Sequence, residues 1–344
     1  MTHRFPIKEL ARQSGLSTAT IDRVLNNRGN VSPQTRLRVT TAMDELKAQE
    51  GQLAARGRRL FFDFVVEAPA RFGREVKAAA ETVLPHIGTA VCRPRFLQQE
   101  IMDEGEVVAA LMRILKRGSH GVCLKARDTA KIRDAVNTLA GAKIPVVTLV
   151  TDIAHSDRLT YVGLDNAGAG RTAAYLIAKI LGDGPGTVLA MRSHDRFLGE
   201  EARELAFVSV LAKLCPNLRV IKLQGGSGLG YETSKILSQA IDSMSDLRAV
   251  YSMGGGNRSI LDTLAHHGLS PAVFVAHDLD QENHALILDG RLDIILHHDL
   301  QTDIKNAFGA FLTFHRLPVE PAAQAISTVQ VLTPENIPPQ RTTA

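Results

Sequence analysis

Residues 7–46 contain the feature that most constrains what this chain can fold into, because they read as three short helices separated by tight breaks. Ile7 and Leu10 recur at helical spacing and give the first helix an apolar stripe. Gly15 ends that helix, since glycine readily adopts a positive φ, and Ser17 is a good N-cap for the next one. The spacing predicts a small, all-helical unit at the start of the chain.

The second of these helices has an inward and an outward face. Ile21, Val24 and Leu25 fall on the inward side. The outward side presents Thr18, Ala19, Asp22 and Arg23. A tight turn before a helix with an exposed polar face is the helix-turn-helix pattern, which places that helix in the major groove of DNA. A three-helix bundle that binds protein is the alternative, and the combination of turn, cap and helix spacing favours DNA.

The third helix begins at Ser32-Pro33, where serine is the cap and proline takes the tolerated first position. Leu37, Met43 and Leu46 are predicted to close the core of the three-helix unit. This unit resembles the DNA-binding head of the lactose-repressor (LacI/GalR) family of bacterial regulators. The resemblance rests on IKELA, SGLSTATIDRVLNN and VSPQTR and is dense over about the first 46 residues.

The resemblance implies a ligand-responsive, sequence-specific DNA-binding transcriptional regulator. Two symmetry-related heads of a homodimer would match a palindromic double-stranded operator. A repressor is the expected type, whereas an activator or a co-repressor-dependent regulator uses the same parts and remains open. The prolines of the C-terminal tail, which lacks a heptad pattern, argue against a coiled-coil tetramer.

Ten residues are predicted to contact DNA, and their side chains divide by chemistry. Thr18, Ala19, Asp22 and Arg23 suit base edges, with Arg23 also suited to a phosphate. Ser17, Thr20, Asn26, Asn30 and Thr35 suit phosphates, and Arg56 suits a phosphate or a narrow minor groove. The resembled family usually has a small hydroxyl residue where Asp22 stands, so the operator is expected to differ from the common one.

Charge is distributed unevenly along the chain. Residues 1–59 hold eleven Lys/Arg and five Asp/Glu, a net charge of +6, whereas the remainder has a net charge of −2. A basic head on a near-neutral body suits a polyanionic partner for the head alone. The predicted domains are a head at 1–50, a basic linker at 51–59 and a body at 60–344. The resembled family places a hinge helix with a wedging leucine in this linker, but Gly57 stands about there, so strong kinking of DNA is not expected.

From residue 60 onward, apolar segments of strand length alternate with segments of helix length. The strand-like segments are 60–66, 121–124, 145–149, 161–164, 187–191, 219–223, 248–252, 272–276 and 293–297. The helix-like segments include 74–84, 105–117, 128–141, 166–181, 199–214, 232–243, 257–267, 280–288 and 302–315. This alternation predicts α/β architecture with parallel sheets and helices on both faces.

The body is long for one sheet and divides into two similar lobes, at about 60–162 and 163–290, with the chain crossing back afterwards. The stretch Tyr161–Ala174, YVGLDNAGAGRTAA, resembles the first crossing between lobes in the same family, whose body is periplasmic-binding-protein-like. The fold class is therefore predicted as a small all-α helix-turn-helix head on a two-lobed α/β body.

Residues that follow strands converge on the cleft of such a body. The predicted ligand-binding residues are Phe72, Asp152, Arg203, Tyr231, Asn257, Asp278 and His298. The resemblance implies a small effector, a sugar, polyol or derivative, with Asp278 gripping hydroxyls, Arg203 as the ligand arginine and Phe72 and Tyr231 stacking on the sugar face. Val150 and Gly254 stand where the family usually has an aspartate and an asparagine, which makes the pocket less sugar-typical.

An enzyme of the doubly wound class is the less favoured alternative. The glycine clusters at 225–230 and 254–256 match neither a phosphate-binding loop nor a dinucleotide fingerprint, and no nucleophile elbow is present. The histidine pairs at 266–267 and 297–298 lack the spacing of metal ligands. We therefore predict no enzymatic activity, no cofactor and no metal site.

The expected location is the cytoplasm, in association with the nucleoid. The N-terminal residues MTHRFPIKELARQ lack the apolar core of a secretory signal, which a free solute-binding protein would need, and no apolar run is long enough to span a membrane. The three cysteines, Cys92, Cys123 and Cys215, are odd in number and widely spaced, as expected for reduced thiols.

Overall fold

A computed structural model describes residues 5–29, 31–55, 58–193, 197–226, 230–319 and 326–338. The chain begins with three helices: α1 Ile7–Ser14, α2 Thr18–Leu25 and α3 Pro33–Ala55. Gly15 ends α1 in the left-handed conformation, at φ 65°, and the Ser17 side chain accepts a hydrogen bond from the backbone N–H of Thr20 at the start of α2. The sequence-predicted turn and cap are both confirmed.

The core of this head is formed by the inward faces of the three helices. Its buried apolar side chains are Phe5, Leu10, Ile21, Val39 and Leu46, with Val24, Leu25 and Met43 packed against them. The prediction that Leu37 closes this core was wrong, because Leu37 is 66% exposed and Val39 takes the inward position of α3. The helix also continues to Ala55, so the first residues of the expected linker, 51–55, are helical.

The first six-stranded sheet lies directly after the head. Its strands are β1 Arg59–Glu67, β2 Val91–Gln99, β3 Gly121–Lys125, β4 Val146–Leu149, β5 Thr160–Leu164 and β11 Ile326–Ser327, in the order β11-β5-β4-β3-β1-β2. All pairings are parallel. The covering helices are α4 Ala70–Val83 and α12 Leu300–Phe314 on one face and α5 Glu104–Arg117 and α6 Ala130–Gly141 on the other. We call this unit the first lobe.

The second lobe repeats the same plan. Its strands are β6 Gly186–Arg192, β7 Leu218–Gln224, β8 Leu247–Ser252, β9 Val273–His277, β10 Ile294–His297 and β12 Gln330–Leu332, in the order β12-β10-β9-β8-β6-β7. Only β12 pairs antiparallel, with β10. The covering helices are α7 Asn166–Leu181 and α8 Leu198–Leu214 on one face and α9 Gly230–Ala240, α10 Asn257–His266 and α11 Gln281–Leu288 on the other.

The chain passes between the lobes three times. It leaves the first lobe after β5, returns to it between β10 and α12, and leaves it again between β11 and β12. The expected crossing near Tyr161–Ala174 coincides with the first passage. Because the carboxyl ends of parallel strands carry the ligand-binding loops, this arrangement places the loops of the two lobes opposite each other.

Three strands were not predicted from the sequence. The edge strand β2, VCRPRFLQQ, has no regular alternation of polar and apolar residues and contains Pro94, which is tolerated at an edge but not in a central strand. The strands β11 and β12 have two and three residues, too few for a periodic signal. Among the described helices, none is long and apolar enough to cross a membrane.

Candidate functional site: a DNA-binding head and a cavity between the lobes

The head presents the N-terminal half of α2 to solvent. Ser17, Thr18, Ala19, Arg23 and Asn26 are exposed, whereas Thr20, Asp22 and Thr35 are partly buried. The Thr20 hydroxyl lies 2.8 Å from that of Ser17, and Thr35 makes the same contact with Ser32 at 2.9 Å, so both threonines contribute to helix starts. Asn30 and Arg56 lie outside the described residues.

Asp22 lies on the outward side of α2, but its two carboxylate oxygens already have partners. Asn26 donates to one oxygen at 2.7 Å, and Arg28 lies 3.0 Å from the other. The sequence did not predict Arg28 as part of this surface, because its pairing with Asp22 depends on the turn that ends α2. The predicted contact of Asp22 with a base edge, such as a cytosine amino group, therefore competes with an ion pair inside the head.

A cavity of about 830 Å³ lies between the two lobes, at the carboxyl ends of their strands. The size falls within the range of small-molecule sites. Each lobe contributes residues that directly follow or end a strand: Ala68, Lys125, Val150, Ser193, Met253, Asp278 and His298. Val150 and Asp278 occupy matching places after β4 and β9, and both have a left-handed backbone with φ 64°. Such a conformation is an outlier for a β-branched valine and often occurs at functional sites.

An aromatic pair and a buried amine form one side of the cavity. Lys125 Nζ lies 3.8 Å from the centroid of the Phe197 ring and 5.5 Å from that of Phe72. The ammonium also donates a hydrogen bond to the backbone oxygen of Glu67 at 2.9 Å. Burial is the main cause that lowers the pKa of Lys125 to about 8. The structure thus places the predicted residue Phe72 on the cavity wall next to a lysine that was not predicted.

Arg203 connects the cavity to the first passage between the lobes. Its Nε donates to Asn166 Oδ1 at 2.7 Å, and one terminal nitrogen donates to the backbone oxygen of Met253 at 2.6 Å. Asn166, the first residue of α7, in turn donates to the backbone oxygen of Val150 at 3.1 Å and to the Tyr161 hydroxyl at 3.2 Å. The predicted ligand arginine is therefore fixed by the segment where the chain changes lobes.

Asp278 and His298 lie together, as expected of residues that follow neighbouring strands. His298 Nε2 is 3.5 Å from Asp278 Oδ1, and His298 Nδ1 is 2.5 Å from Asp303 Oδ2 on α12. Burial lowers the pKa of His298, but the hydrogen bond to Asp303 and the charges of both carboxylates outweigh it, so the pKa is raised overall. The imidazole is thus held between one carboxylate of each lobe.

Arg71 spans the mouth of the cavity. It belongs to α4 of the first lobe, and its guanidinium lies 3.2 Å from Asp280 and 3.3 Å from Glu282, both in the second lobe. A Cβ atom at Gly255 would overlap the guanidinium, so this glycine allows Arg71 to approach the backbone closely. Burial and the negative charge of Asp280 raise the pKa of the nearby Glu75.

Three predicted ligand residues do not line the cavity. Asp152 is held by Arg158, at 2.5 and 2.6 Å, and by the Thr148 hydroxyl at 2.7 Å. Tyr231 is 78% exposed at the start of α9, and Asn257 is fully buried against Asn283 at 2.8 Å. The expectation that these three converge on the cleft is corrected, because position after a strand does not fix the direction of a side chain.

The lining residues that the sequence did not predict include Arg71, Lys125, Phe197 and Glu200. Lys125 had a usable signal, since it is a charged residue directly after the apolar strand GVCL. Asp303, which holds His298, had none because it lies one turn into a helix and becomes relevant only through packing. Among the described residues, no cluster of histidine, cysteine or acidic side chains has the arrangement of a metal site.

Two protein-family models match the chain. The model for bacterial regulatory proteins of the lacI family matches residues 6–47, and the periplasmic binding protein domain matches residues 71–302, which is more than half of the chain. A comparison with curated protein sequences gives no match. The two parts together are those of a ligand-responsive transcription regulator.

Solved structures share the fold of the body. The glucose-galactose binding protein GanP from Geobacillus stearothermophilus is 16% identical, with a TM-score of 0.72 over 82% of this chain and 99% of its own. A protein described as a LacI transcriptional regulator from Bacteroides fragilis is 15% identical, with a TM-score of 0.72 over 81% and 98%.

A solute-binding protein of an ABC transporter from Burkholderia graminis, in complex with D-arabinose, is 17% identical, with a TM-score of 0.71 over 82% and 97%. At these low identities the solved structures show only that the chain shares their fold. Membership of a family rests on the family models. The chain therefore belongs to the periplasmic binding protein domain family and carries, at its N-terminus, the DNA-binding domain of the lacI family of bacterial regulatory proteins.

Proposed function

We propose that this chain is a transcriptional repressor whose affinity for its operator is changed by a small, sugar-like effector bound between the lobes. The observation that carries the proposal is the cavity itself, in which Arg203, Asp278 and His298 surround a space of about 830 Å³ next to the Phe72 ring. The solved relatives named for glucose-galactose and arabinose binding share this two-lobed body.

The chemistry of the lining suits a hydroxylated ring. A carboxylate such as Asp278 accepts hydrogen bonds from hydroxyls, and the fork of Arg203 donates to oxygen atoms in a fixed plane. Phe72 and Phe197 offer flat apolar faces for the C–H side of a sugar. The buried Asp278 Oδ1 has no hydrogen-bond partner among the described residues, so an effector hydroxyl would satisfy it.

Regulation would proceed through the passages between the lobes. An effector that contacts both lobes favours the conformation in which they lie close together. Arg203 contacts the effector space and, through Asn166, the backbone of Val150 at the first passage. Closure would change the distance between the two heads of a homodimer, so effector and operator affinities are linked reciprocally, with a coupling of about 1–3 kcal/mol.

Each head would place α2 in the major groove of one half of a palindromic operator. Thr18, Ala19, Asp22 and Arg23 are the proposed base-reading residues, and Ser17, Thr20, Asn26, Asn30 and Thr35 the proposed phosphate contacts. Arg56 is proposed to contact the backbone or minor groove. A head with six more basic than acidic residues at 1–59 is expected to give a steep dependence of binding on salt.

The test has two arms. A selection from randomised duplexes with the full chain should enrich a palindromic sequence, and a reporter under that sequence should fall in expression when the chain is present. A screen of sugars and polyols by isothermal titration calorimetry should then find a compound that changes operator affinity. A rise in reporter expression would contradict repression, and the absence of any enriched duplex would contradict sequence-specific binding.

A further inference from the structure

Two cations of the cavity are buried without an acidic partner. Lys125 ends β3 in the first lobe and is 8% exposed, and Arg203 lies on α8 of the second lobe and is 4% exposed. Their donor groups reach the Glu67 backbone, the Asn166 amide oxygen and the Met253 backbone, all of which are uncharged. Within the part of the chain that the structure describes, neither cation lies within ion-pair distance of a carboxylate.

Most of the described acids around the cavity have other partners. Glu200 accepts hydrogen bonds from the backbone and the hydroxyl of Ser193, at 2.7 and 2.5 Å. Asp280 pairs with Arg71, and Asp278 faces His298. Glu75 is exposed at the rim, and Asp299 accepts hydrogen bonds there from the Gln301 backbone and the Thr302 hydroxyl. The carboxylates therefore leave the two buried cations without a direct counter-charge.

Buried charges in proteins are normally paired, because the loss of hydration is costly. The Phe197 ring stabilises the Lys125 ammonium in part, since a cation is attracted to the face of an aromatic ring and more strongly so where water is excluded. The pKa of Lys125 nevertheless falls to about 8, through burial first and with a further contribution from the charge of Arg203. Nearby Glu200, Glu67 and Asp278 oppose this shift without cancelling it. Among the described residues, the compensation of the ammonium is thus incomplete.

We propose that the effector carries an acidic group, a carboxylate or a phosphate, which is held between Lys125 of the first lobe and Arg203 of the second. This inference rests on the proposed function, because it assumes that the effector occupies this cavity. An acidic group would supply the missing counter-charge to both cations at once. A neutral sugar would fill the same space but leave both cations unpaired. Buried charged groups that stay unpaired are the strongest basis on which a site rejects one ligand and accepts another of similar shape.

The acidic group would also act on the conformation. Because its two partners belong to different lobes, an anion between them favours the closed arrangement more than a group that contacts one lobe. The hydroxyls of the same ligand would remain for Asp278 and His298, so the cavity would recognise a hydroxylated acid rather than an acid alone.

The test is isothermal titration calorimetry with the full chain and matched sets of probes. One set is glucose, glucuronate and glucose 6-phosphate, and the other is galactose, galacturonate and galactose 6-phosphate. We expect at least one acid to bind about 10- to 100-fold more tightly than its neutral parent, as charge-assisted hydrogen bonds imply. Comparison of the affinities for the two uronates with those for the two 6-phosphates shows whether the acidic group is a carboxylate or a phosphate.

Two substitutions locate the preference. Lys125→Met should lower the ratio of acid to neutral affinity about 10-fold, because Arg203 alone remains to hold the acidic group. Lys131→Met, on an exposed lysine of α6, should preserve the ratio. Lys125→Gln serves as a second variant if Lys125→Met does not fold, which circular dichroism reports. An acid preference that is undiminished at Lys125→Met or Lys125→Gln, or neutral sugars that bind more tightly than both acids, would overturn the inference and leave the proposed function standing. Failure of every sugar and acid to bind would overturn both.

Discussion

Arg71 of the first lobe and Asp280 of the second form an ion pair of 3.2 Å across the mouth of the cavity, and both side chains are less than one quarter exposed. Glu282 extends the pair at 3.3 Å and also binds Arg258 at 2.9 Å. The lobes are thus joined at the mouth by side chains as well as by the three passages of the chain.

We expect Arg71→Ala to favour separation of the lobes. Loss of a partly buried pair costs about 1 kcal/mol, so affinity for the tightest-binding probe of the sugar and acid sets should fall about fivefold. Small-angle X-ray scattering without ligand should show a larger radius of gyration. Arg74→Ala, on the same helix and exposed, is the matched control. Equal affinity and equal radius for Arg71→Ala and the wild type would show that the pair does not hold the lobes.

Asp22→Ser should change the preferred base at one symmetric position of the operator and raise non-specific affinity. The substitution removes a charge that repels phosphates and frees Arg28, which lies 3.0 Å from Asp22. A randomised-duplex selection and binding at two salt concentrations measure the two effects. Asp44→Ser removes an acidic charge from α3 of the same head and should leave the base preference intact. Identical base preferences for Asp22→Ser and the wild type would remove Asp22 from the reading surface.

Lys125→Met should stabilise the fold while it weakens binding of acids. A folded-state pKa of about 8 against an ordinary 10.5 means that the charged amine is disfavoured by about 3 kcal/mol in the folded chain at neutral pH. Because this pKa is lowered, the penalty is present below pH 8 and disappears as pH rises from 8 to 10.5. Urea unfolding should therefore show that Lys125→Met has a higher unfolding free energy than the wild type at pH 7, and that this difference is smaller at pH 10. If Lys125→Met does not raise the unfolding free energy at pH 7, the assignment of an incompletely compensated charge to Lys125 is refuted. The control Lys131→Met should not raise the unfolding free energy.

His298 should contribute stability with the opposite pH dependence. Its folded-state pKa is raised, mainly because the hydrogen bond and charge of Asp303 and the charge of Asp278 outweigh burial. A raised pKa gives stability that is fully present below the ordinary value of 6.5 and is lost as pH rises through the folded value. The difference in unfolding free energy between the wild type and His298→Gln should thus be larger at pH 5.5 than at pH 8.5. His284→Gln, on α11 at the rim of the cavity, controls for general histidine titration. A difference that does not vary with pH would argue against a charged imidazole.

Local patterns in the sequence were sufficient to predict most helices and strands of this protein. The cap at Ser17 and the turn at Gly15 depend on a few neighbouring residues, and the β-α alternation follows from the period of apolar side chains. The crossing near Tyr161 was also predicted, because a family resemblance marks that stretch. Short or polar strands such as β2 and β12 were missed, since their pairing comes from the rest of the sheet.

The sequence by itself determined the helices, nine of the twelve described strands, the basic charge of the head and the place of the cavity at the ends of the strands. Only the tertiary structure decided which side chains face the cavity: Asp152 turns to Arg158, whereas Lys125 points inward beside Phe197. It alone also brought Asp303 to His298 and Arg71 to Asp280. The physical reason is that secondary structure follows from contacts within a few residues, whereas the direction and pairing of a side chain depend on neighbours that are distant in the chain.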